Sequence, residues 1–198
     1  MSTDIKVRQL EIITAAGEIL SESGIGGLTT KNLAARMGFA ESALYRHFKS
    51  KEDIIITMLK YLAADMDKRF KYCLSDINDA ELQLKELFNN QFEFFKKNPH
   101  FLVAIFSDGL LEESKSINAA IIEIMAVKKK YLLQIVKQGQ RDKIFTNDLS
   151  ADELVHVLMG SLRLHILQWR ISAYEFDVKQ QGNKLMTGII TLIKSYRK

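Results

Sequence analysis

The sequence predicts an all-α fold of about nine helices, and two observations carry this prediction. Apolar residues recur at helical spacing along almost the whole chain. Glycine and proline number only ten and one among 198 residues, too few turn formers for a sandwich or barrel of many short strands. The same scarcity argues against collagen, a flexible linker architecture or a disordered tail.

Start and stop signals then place the helices in order. The first is expected to end at Gly24, and the second to run from an N-cap at Thr29 to Gly38. The third begins near Glu41, and Ser50 is a suitable N-cap for a fourth helix of about 20 residues. The later helices are expected at 78–97, 99–109, 114–138 and 150–174, with a last one whose face carries Leu185, Ile189, Leu192, Ile193 and Tyr196.

Composition also limits the location and chemistry of the protein. The single cysteine, Cys73, excludes an intramolecular disulfide and a zinc cluster built from cysteines. Residues 1–6 lack the apolar core of a secretion signal, and no apolar run approaches the roughly 18 residues of a membrane span. We therefore expect a cytoplasmic protein with no membrane partner and no cofactor.

Positive charge is concentrated in residues 29–51. This stretch carries five basic residues against one glutamate, so its net charge of +4 equals that of the whole chain. A local basic stretch indicates a nucleic-acid-binding patch, although a solvated helix face gives the same pattern. The Lys128-Lys129-Lys130 run, by contrast, is interpreted as a solvated helix edge.

The basic stretch also has the outline of a helix-turn-helix. Two short helices are joined at Gly38, and both follow a first helix against which they can pack. The second of the two is short enough to enter a major groove about 12 Å wide. The pattern therefore favours a DNA-binding module.

Individual residues make a family resemblance specific. The chain contains, in order, Leu28-Thr29-Thr30, Leu33-Ala34, Gly38, Leu44-Tyr45-Arg46-His47-Phe48 and Lys51. This pattern resembles the DNA-binding domain of the TetR family of bacterial repressors, and the match extends from Ile12 to Ile56. The rest of the chain is similar to that family only in its succession of helices.

The resemblance implies that the partner is a double-stranded DNA operator, with the helix from Glu41 to His47 in its major groove. Tyr45 and His47 would donate to phosphates, with Lys51 beside them, because phenol, imidazole and ammonium groups donate to phosphate oxygens. A half-buried core aromatic at Tyr45 and a solvated helix end at His47 remain the alternatives. The candidate DNA-binding residues are Thr29, Thr30, Lys31, Glu41, Ser42, Ala43, Tyr45, His47 and Lys51.

Base readout is where this chain departs from the family pattern. It has Ala40 and Ala43 where the family commonly has hydroxyl residues. Readout is then expected from Glu41 and Ser42, with the methyl group of Ala43 available to a thymine methyl. Glu41 is equally suited to a helix N-terminus, where a carboxylate is favourable. The two threonines that open the second helix would contact phosphate, and Lys31 would approach base edges or the backbone.

The remaining residues exceed what a three-helix module needs, so we expect a DNA-binding domain at 1–50 and a ligand-binding and dimerisation domain at 51–198. The helix at 150–174 is apolar over most of its circumference, which predicts burial both by its own domain and by a partner subunit. With the last helix it looks like the four-helix homodimer interface of the TetR family. Its two stripes are Leu154, Val157, Leu158, Ser161, Leu162, His165 and Trp169, and Val155, Met159, Leu162 and Ile166.

Aromatic residues between the module and this interface predict either a plain core or an apolar chamber for an unidentified small-molecule ligand. The family resemblance supports the chamber and hence a repressor that an apolar or amphipathic ligand releases from a palindromic operator. The candidate ligand-binding residues are Phe92, Phe95, Phe101, Phe106, Met125, His165 and Trp169.

Two alternatives differ in class from a ligand-responsive regulator. A helical-bundle metalloenzyme is suggested by the Glu153/His156 pair, which has the E-x-x-H spacing of di-iron sites. Such sites need a second pair, and His165 lies about 180° around the helix from His156, so we expect neither an enzyme nor a metal. The other alternative is a DNA-bound architectural or division-control protein without a small ligand.

Overall fold

The computed structural model describes residues 5–102 and 114–194, and this part of the chain contains eight helices. The predicted all-α fold is therefore confirmed. None of the helices in this part is long and apolar enough to cross a bilayer. The helices are α1 (Val7–Gly27), α2 (Thr30–Met37), α3 (Glu41–Leu44), α4 (Lys51–Cys73), α5 (Ala80–Lys97), α6 (Lys115–Arg141), α7 (Ala151–Ile171) and α8 (Val178–Ile193).

Several helix ends lie where capping residues predicted them. The hydroxyl of Thr29 accepts from the Asn32 amide at 3.1 Å and so caps α2. Ser150 and Glu153 form a capping box at the start of α7, with the Ser150 amide donating to Glu153 Oε2 at 2.7 Å. The Ser50 hydroxyl accepts from the Asp53 amide at 3.1 Å at the start of α4.

Other ends differ from the prediction. The backbone of α1 does leave helical geometry at Gly24 (φ 64°, ψ −167°), but helical turns resume before Leu28. Helix α7 stops at Ile171 instead of 174, because Ala173 and Tyr174 adopt positive φ. Of the helix expected at 99–109, only the beginning lies within the described residues.

The chain forms two compact units. Unit 1 comprises Met1–Met66 and Asn98–Met125, and unit 2 comprises Asp67–Lys97 and Ala126–Lys198. The predicted functional division between 1–50 and 51–198 stays a prediction, since compactness does not report function.

In unit 2, α8 packs against α5 and α7. Helices α8 and α5 approach closely at Gly182, where a Cβ atom would lie 2.5 Å from Cζ of Phe92. The buried face of α5 fills this core with apolar side chains: Ala80, Leu84, Leu87, Phe88, Phe92 and Phe95.

The apolar faces of α7 and α8 divide differently from the predicted stripes. Ile166, a member of the second predicted stripe, is only 1% exposed and belongs to the core of its own unit. Leu192, predicted to lie on one face with buried Ile189 and Ile193, is instead 76% exposed. Tyr196 lies outside the described residues. The large apolar side chains that point outward are Val157, Leu164, Leu167 and Ile171 on α7 and Leu185 and Leu192 on α8.

The interpretation of the lysine run as a solvated edge is wrong for Lys128. Its side chain is buried, with 7% of the residue exposed. Lys129 and Lys130 are exposed, at 2.8 Å from Asp152 and 2.9 Å from Asp67 respectively. Consecutive helical residues point about 100° apart, so a run of three cannot remain on one solvated edge.

Candidate DNA-binding site

The turn between α2 and α3 is built on Gly38. Its backbone is left-handed (φ 66°, ψ 32°), and its amide donates to the carbonyls of Ala34 and Ala35. The next amide, that of Phe39, also donates to Ala34 O at 2.9 Å. These bonds end α2 and fix the direction in which α3 begins.

The N-terminal ends of α2 and α3 are joined by a hydrogen bond. Thr30 Oγ1 donates to Glu41 Oε2 at 3.0 Å. The hydroxyl of Thr29 accepts from a backbone amide, so its own proton remains available to an acceptor such as a phosphate oxygen. The structure thus brings three candidate DNA-binding residues into one small region.

Helix α3 and the turn after it present polar side chains outward while anchoring apolar ones. Leu44 and Phe48 are buried, whereas Ser42, Tyr45 and Arg46 are exposed. Tyr45 is 54% exposed, which favours contact with a partner over a place in the core. Ala43 and His47 are half-buried, and the main-chain carbonyl of His47 accepts from Gln9 Nε2 at 3.4 Å.

Lys51 approaches this surface from the start of α4. Its ammonium group donates to the carbonyl of Ile25 at 3.4 Å. Ile25 lies four residues before Thr29, so the lysine is held near the segment that leads into α2. Lys31, in the first turn of α2, is exposed.

The positive charge of the stretch is partly used inside unit 1. Arg36 pairs with Glu22, where Arg36 Nη1 lies 2.8 Å from Oε1, and it also reaches Glu18 at 3.4 Å. This hydrogen bond with Arg36 holds the pKa of Glu22 below its usual value and raises that of Arg36. Sequence reasoning counted Arg36 in the DNA-facing charge; the signal for the pairing was the i, i+4 spacing of the two glutamates on α1.

The candidate ligand-binding residues do not fall into one unit. Phe92, Phe95, His165 and Trp169 lie in unit 2. Phe101 and Met125 lie in unit 1. Phe106 lies outside the described residues.

In unit 2 the aromatic candidates pack against neighbours. The rings of Phe92 and His165 meet edge to face at 5.4 Å between centroids, and His165 Nε2 lies 3.0 Å from the carbonyl oxygen of Val178. Trp169 meets Tyr174 with centroids 4.8 Å apart. The polar atom of His165 is therefore used within the fold.

In unit 1 the two remaining candidates have different surroundings. Phe101 is buried and lies 6.5 Å from the ring of Tyr61. Met125 is 50% exposed.

Two buried polar side chains of unit 2 were missed by sequence reasoning. Gln91 is fully buried, and neither Nε2 nor Oε1 has a hydrogen-bond partner among the residues that the structure describes. Lys128 is the other. A signal was present for Gln91, since it lies at positions i+3 from Phe88 and i−4 from Phe95, on the apolar face of α5.

The residues that suggested a metalloenzyme serve other roles. Glu153 accepts two hydrogen bonds from Ser150 in the capping box of α7, and His156 is exposed. Across residues 5–102 and 114–194, no group of three or more His, Cys, Asp and Glu side chains could hold a metal ion.

Comparisons with known proteins cover almost the whole chain. The nucleoid occlusion factor SlmA of Shewanella pealeana (strain ATCC 700345 / ANG-SQ1) is 24% identical over 183 residues, which is 90% of each chain. The transcriptional regulator FadR of Bacillus subtilis in complex with stearoyl-CoA has a TM-score of 0.83 at 20% identity, over 95% of this chain and 100% of that one. The ketosteroid transcriptional regulator KstR2 of Mycobacterium tuberculosis has a TM-score of 0.81 at 18% identity, over 98% of each chain. Because both sequence identities are below 25%, these two structures show only that this chain has the same fold as they have.

Family models add membership to the shared fold. The model described as "Bacterial regulatory proteins, tetR family" matches residues 12–58, which include the turn at Gly38 and Lys51. The model described as "YsiA-like protein, C-terminal region" matches residues 61–192. Family and fold are those of transcriptional regulators. Since the two models together match most of the chain, the protein belongs to the TetR family of bacterial regulatory proteins.

Proposed function

We propose that the protein is a repressor that binds a palindromic operator as a homodimer and leaves it when an apolar or amphipathic small molecule binds. The observation that carries this proposal is the helix-turn-helix of unit 1, with its glycine turn at Gly38 and an exposed α3 surface. In this proposal residues 1–50 bind DNA, and residues 51–198 bind the ligand and the second copy of the chain.

The DNA contacts follow from the donors on this surface. Tyr45, Lys51 and the hydroxyl of Thr29 would donate to phosphates, which position the protein without reading sequence. Ser42 and Glu41, in the first turn of α3, would reach base edges in the major groove. One short helix reads few base pairs, so useful specificity requires two copies on two half-sites.

The outward apolar face of α7 and α8 supports the homodimer. Leu164 and Ile171 on α7 and Leu192 on α8 are exposed in the protomer. Apolar patches of this kind on a soluble protein are typical of interaction sites. A Cβ atom added at Gly160 or Gly188 would meet no atom of residues 5–102 or 114–194 within 4 Å, so these two positions leave space into which a second helix could pack.

A charged substitution tests this interface. Ile171→Glu should convert the dimer to a monomer in sedimentation, since it would bury an unpaired charge between subunits. Ile122→Glu is a matched control, because Ile122 is an exposed isoleucine of α6 outside this face. A dimer that survives Ile171→Glu unchanged would contradict the proposed interface.

The ligand part of the proposal rests on the aromatic interior of unit 2 and on the two solved structures. One of those proteins binds stearoyl-CoA and the other is named for ketosteroids, and both kinds of molecule carry large apolar bodies. Helix α4 begins at Lys51 and continues without interruption to Cys73. A displacement of α4 by ligand would change the spacing of the two α3 helices, which must lie about 34–36 Å apart or a multiple of that. A coupling of ~1–3 kcal/mol would lower DNA affinity about 5- to 150-fold.

DNA binding itself is tested with an operator selected from a random duplex library. Lys51→Ala should weaken operator and random duplex alike and lower the slope of log affinity against log salt by about one unit. Lys60→Ala is the control, since Lys60 is an exposed lysine on the same helix. An unchanged salt slope in Lys51→Ala would contradict the proposed docking.

A second candidate function is that of a DNA-bound division-control protein without a small ligand. The observation that favours it is the 24% identity to a protein named as a nucleoid occlusion factor. Mapping bound sites in cells separates the two. A few sites near promoters, lost when a ligand is added, support the repressor; many sites across the chromosome that no ligand changes support division control.

A further inference from the structure

The interior of unit 2 contains a buried cation that has no counter-ion in the part of the chain that the structure describes. Lys128 lies on α6 with 7% of its surface exposed, and no carboxylate of residues 5–102 or 114–194 pairs with it. The charges that act on it are those of Arg69 and Arg163, which repel it. Burial, reinforced by these two guanidinium groups, lowers the pKa of Lys128 to about 8. Burying an ammonium group is unfavourable unless an anion accompanies it.

A buried amide in the same unit also lacks partners within the described ranges. Gln91 on α5 is fully buried, and its two amide atoms make no hydrogen bond to any residue of 5–102 or 114–194. Such groups are rare in folded proteins and cost about 1–3 kcal/mol each. The amide can donate to one oxygen and accept from another group, so it suits a polar ligand atom.

Arg69 interacts both with the turn of α5 that carries Gln91 and with Lys128. Its guanidinium donates to Asn90 Oδ1 and lies 4.1 Å from the ring centroid of Phe94. Asn90 and Phe94 belong to the same turn of α5 as Gln91. Arg69 also acts electrostatically on Lys128. The positive charge around Lys128 therefore extends to the turn of α5 that carries the unpartnered amide.

We propose that the interior of unit 2 binds an amphipathic anion, whose negative group pairs with the ammonium of Lys128 and whose apolar chain packs among the aromatic side chains of α5. The anion supplies the counter-charge that Lys128 does not find among the described residues, and Arg69 and Arg163 add favourable potential for it. This inference rests on the proposed function, because the anion is taken to be the ligand that releases the repressor from its operator. What it adds is the negative charge of that ligand.

The wild-type protein tests the charge requirement without any substitution. Three probes share one twelve-carbon chain: dodecanoate, dodecyl phosphate and 1-dodecanol, each used below the concentration at which it aggregates. Calorimetry, or the fluorescence of Trp169, reports binding. The anions should bind at least about 10-fold more tightly than the alcohol. The tighter of the two anions identifies a carboxylate or a phosphate as the group preferred. Equal binding of the alcohol, or no binding of either anion, would overturn the proposal.

Substitution then tests the residue. Lys128→Met keeps the length and the apolar stem of the side chain, so the protein should fold at least as well as the wild type. Dodecanoate and dodecyl phosphate should bind about 30-fold more weakly, because one member of a buried charge pair is lost. The affinity for 1-dodecanol should change less than about threefold. Lys129→Met is the matched control, since Lys129 is the exposed neighbour, and it should leave all three affinities unchanged. Anion affinities that are unaffected by Lys128→Met would overturn the site.

Operator binding is measured separately, so the two proposals can fail independently. An anion that binds through Lys128 but leaves operator affinity unchanged supports the site and contradicts its role as the releasing ligand. If 1-dodecanol releases the operator as well as dodecanoate does, the ligand-responsive repressor stands and the anion site is wrong.

Discussion

The surface of the helix-turn-helix in unit 1 and the interior of unit 2 differ in whether their polar side chains have hydrogen-bonding or ionic partners. Around Gly38, several polar side chains have partners within the fold: Thr29 caps a helix, Thr30 donates to Glu41, and Arg36 pairs with Glu22. In unit 2, the described residues give the buried amide of Gln91 no hydrogen-bond partner and the buried ammonium of Lys128 no carboxylate.

This difference indicates two kinds of binding surface. The proposed DNA-binding surface is held in place by these contacts, and a preorganised surface loses little entropy on binding. The interior of unit 2 should be less stable than it would be with apolar residues at these positions, and the proposed ligand would stabilise it by supplying the missing partners. Removing the amide of Gln91 should therefore stabilise the fold, whereas removing the capping hydroxyl of Thr29 should destabilise it.

The largest expected effect is a rise in the stability of unit 2 with pH. The folded protein has a Lys128 pKa of about 8, whereas the unfolded chain has the usual 10.5. Between these values the unfolded state holds a proton that the folded state has released. The free energy of unfolding therefore rises by about 3 kcal/mol as the pH goes from 8 to 10.5, and this contribution is absent below pH 8.

Urea denaturation of the wild type and of Lys128→Met across this range measures the effect. Burial raises the pKa of the Cys73 thiol to about 11, so Cys73 acts in the opposite direction as the pH passes its unfolded value of 9.0. Both proteins contain Cys73, and the difference between their pH profiles isolates Lys128. Parallel profiles would mean that Lys128 is not buried as a cation.

Replacing Gln91 with leucine should stabilise the ligand-free protein. Gln91→Leu removes two buried polar atoms without partners and keeps most of the volume, so we expect a gain of about 1–2 kcal/mol in the free energy of unfolding. Asn90→Leu is the control, because the neighbouring Asn90 accepts from Arg69 and its loss should be destabilising. A destabilised Gln91→Leu would show that the glutamine has partners in the ligand-free state.

In unit 1 the same kind of change should have the opposite sign. Thr29→Ala removes the acceptor for the Asn32 amide and should lower the free energy of unfolding by about 1 kcal/mol. Thr29→Ser keeps that acceptor and should remain within a few tenths of a kcal/mol of the wild type. Chemical denaturation of both variants checks this, and an alanine variant as stable as the serine variant would contradict it.

Sequence reasoning succeeded where local chemistry decides the structure. Caps at Thr29 and Ser150 and the turn at Gly38 depend on a few consecutive residues, and the structure has them where they were predicted. It failed where burial depends on packing between distant helices. Neither Lys128, in a run of lysines, nor Ile166, on a helix apolar on several sides, shows in its local pattern which neighbour will cover it.

For the same reason, the sequence predicted the position of the candidate site but not the contacts between its residues. The resemblance around Tyr45 and Lys51 identified the surface, and the structure shows Tyr45 exposed on it. The pairing of Arg36 with α1 and the bond between Thr30 and Glu41 join residues more than ten positions apart. Such contacts form only in the tertiary fold, so a local sequence pattern does not predict them. The same is true of the division of the candidate ligand-binding residues between two units.

The smallest expected effect concerns Glu41, which is both a candidate base reader and the acceptor for Thr30 Oγ1 at 3.0 Å. Glu41→Gln keeps an acceptor for that hydroxyl and removes the negative charge, whereas Glu41→Ala removes both. With less repulsion of phosphate, both variants should bind random duplex more tightly, by about threefold or less.

If the carboxylate of Glu41 accepts from a cytosine amino group, both variants should also lose their preference for cytosine at one operator position. If it serves only the helix N-terminus, the selected operator will be the same in all three proteins. Selection of binding sites from a random library with each variant decides between these roles. If only Glu41→Ala changes the selected operator, and Glu41→Gln does not, the change is due to the hydroxyl of Thr30, which has lost its acceptor.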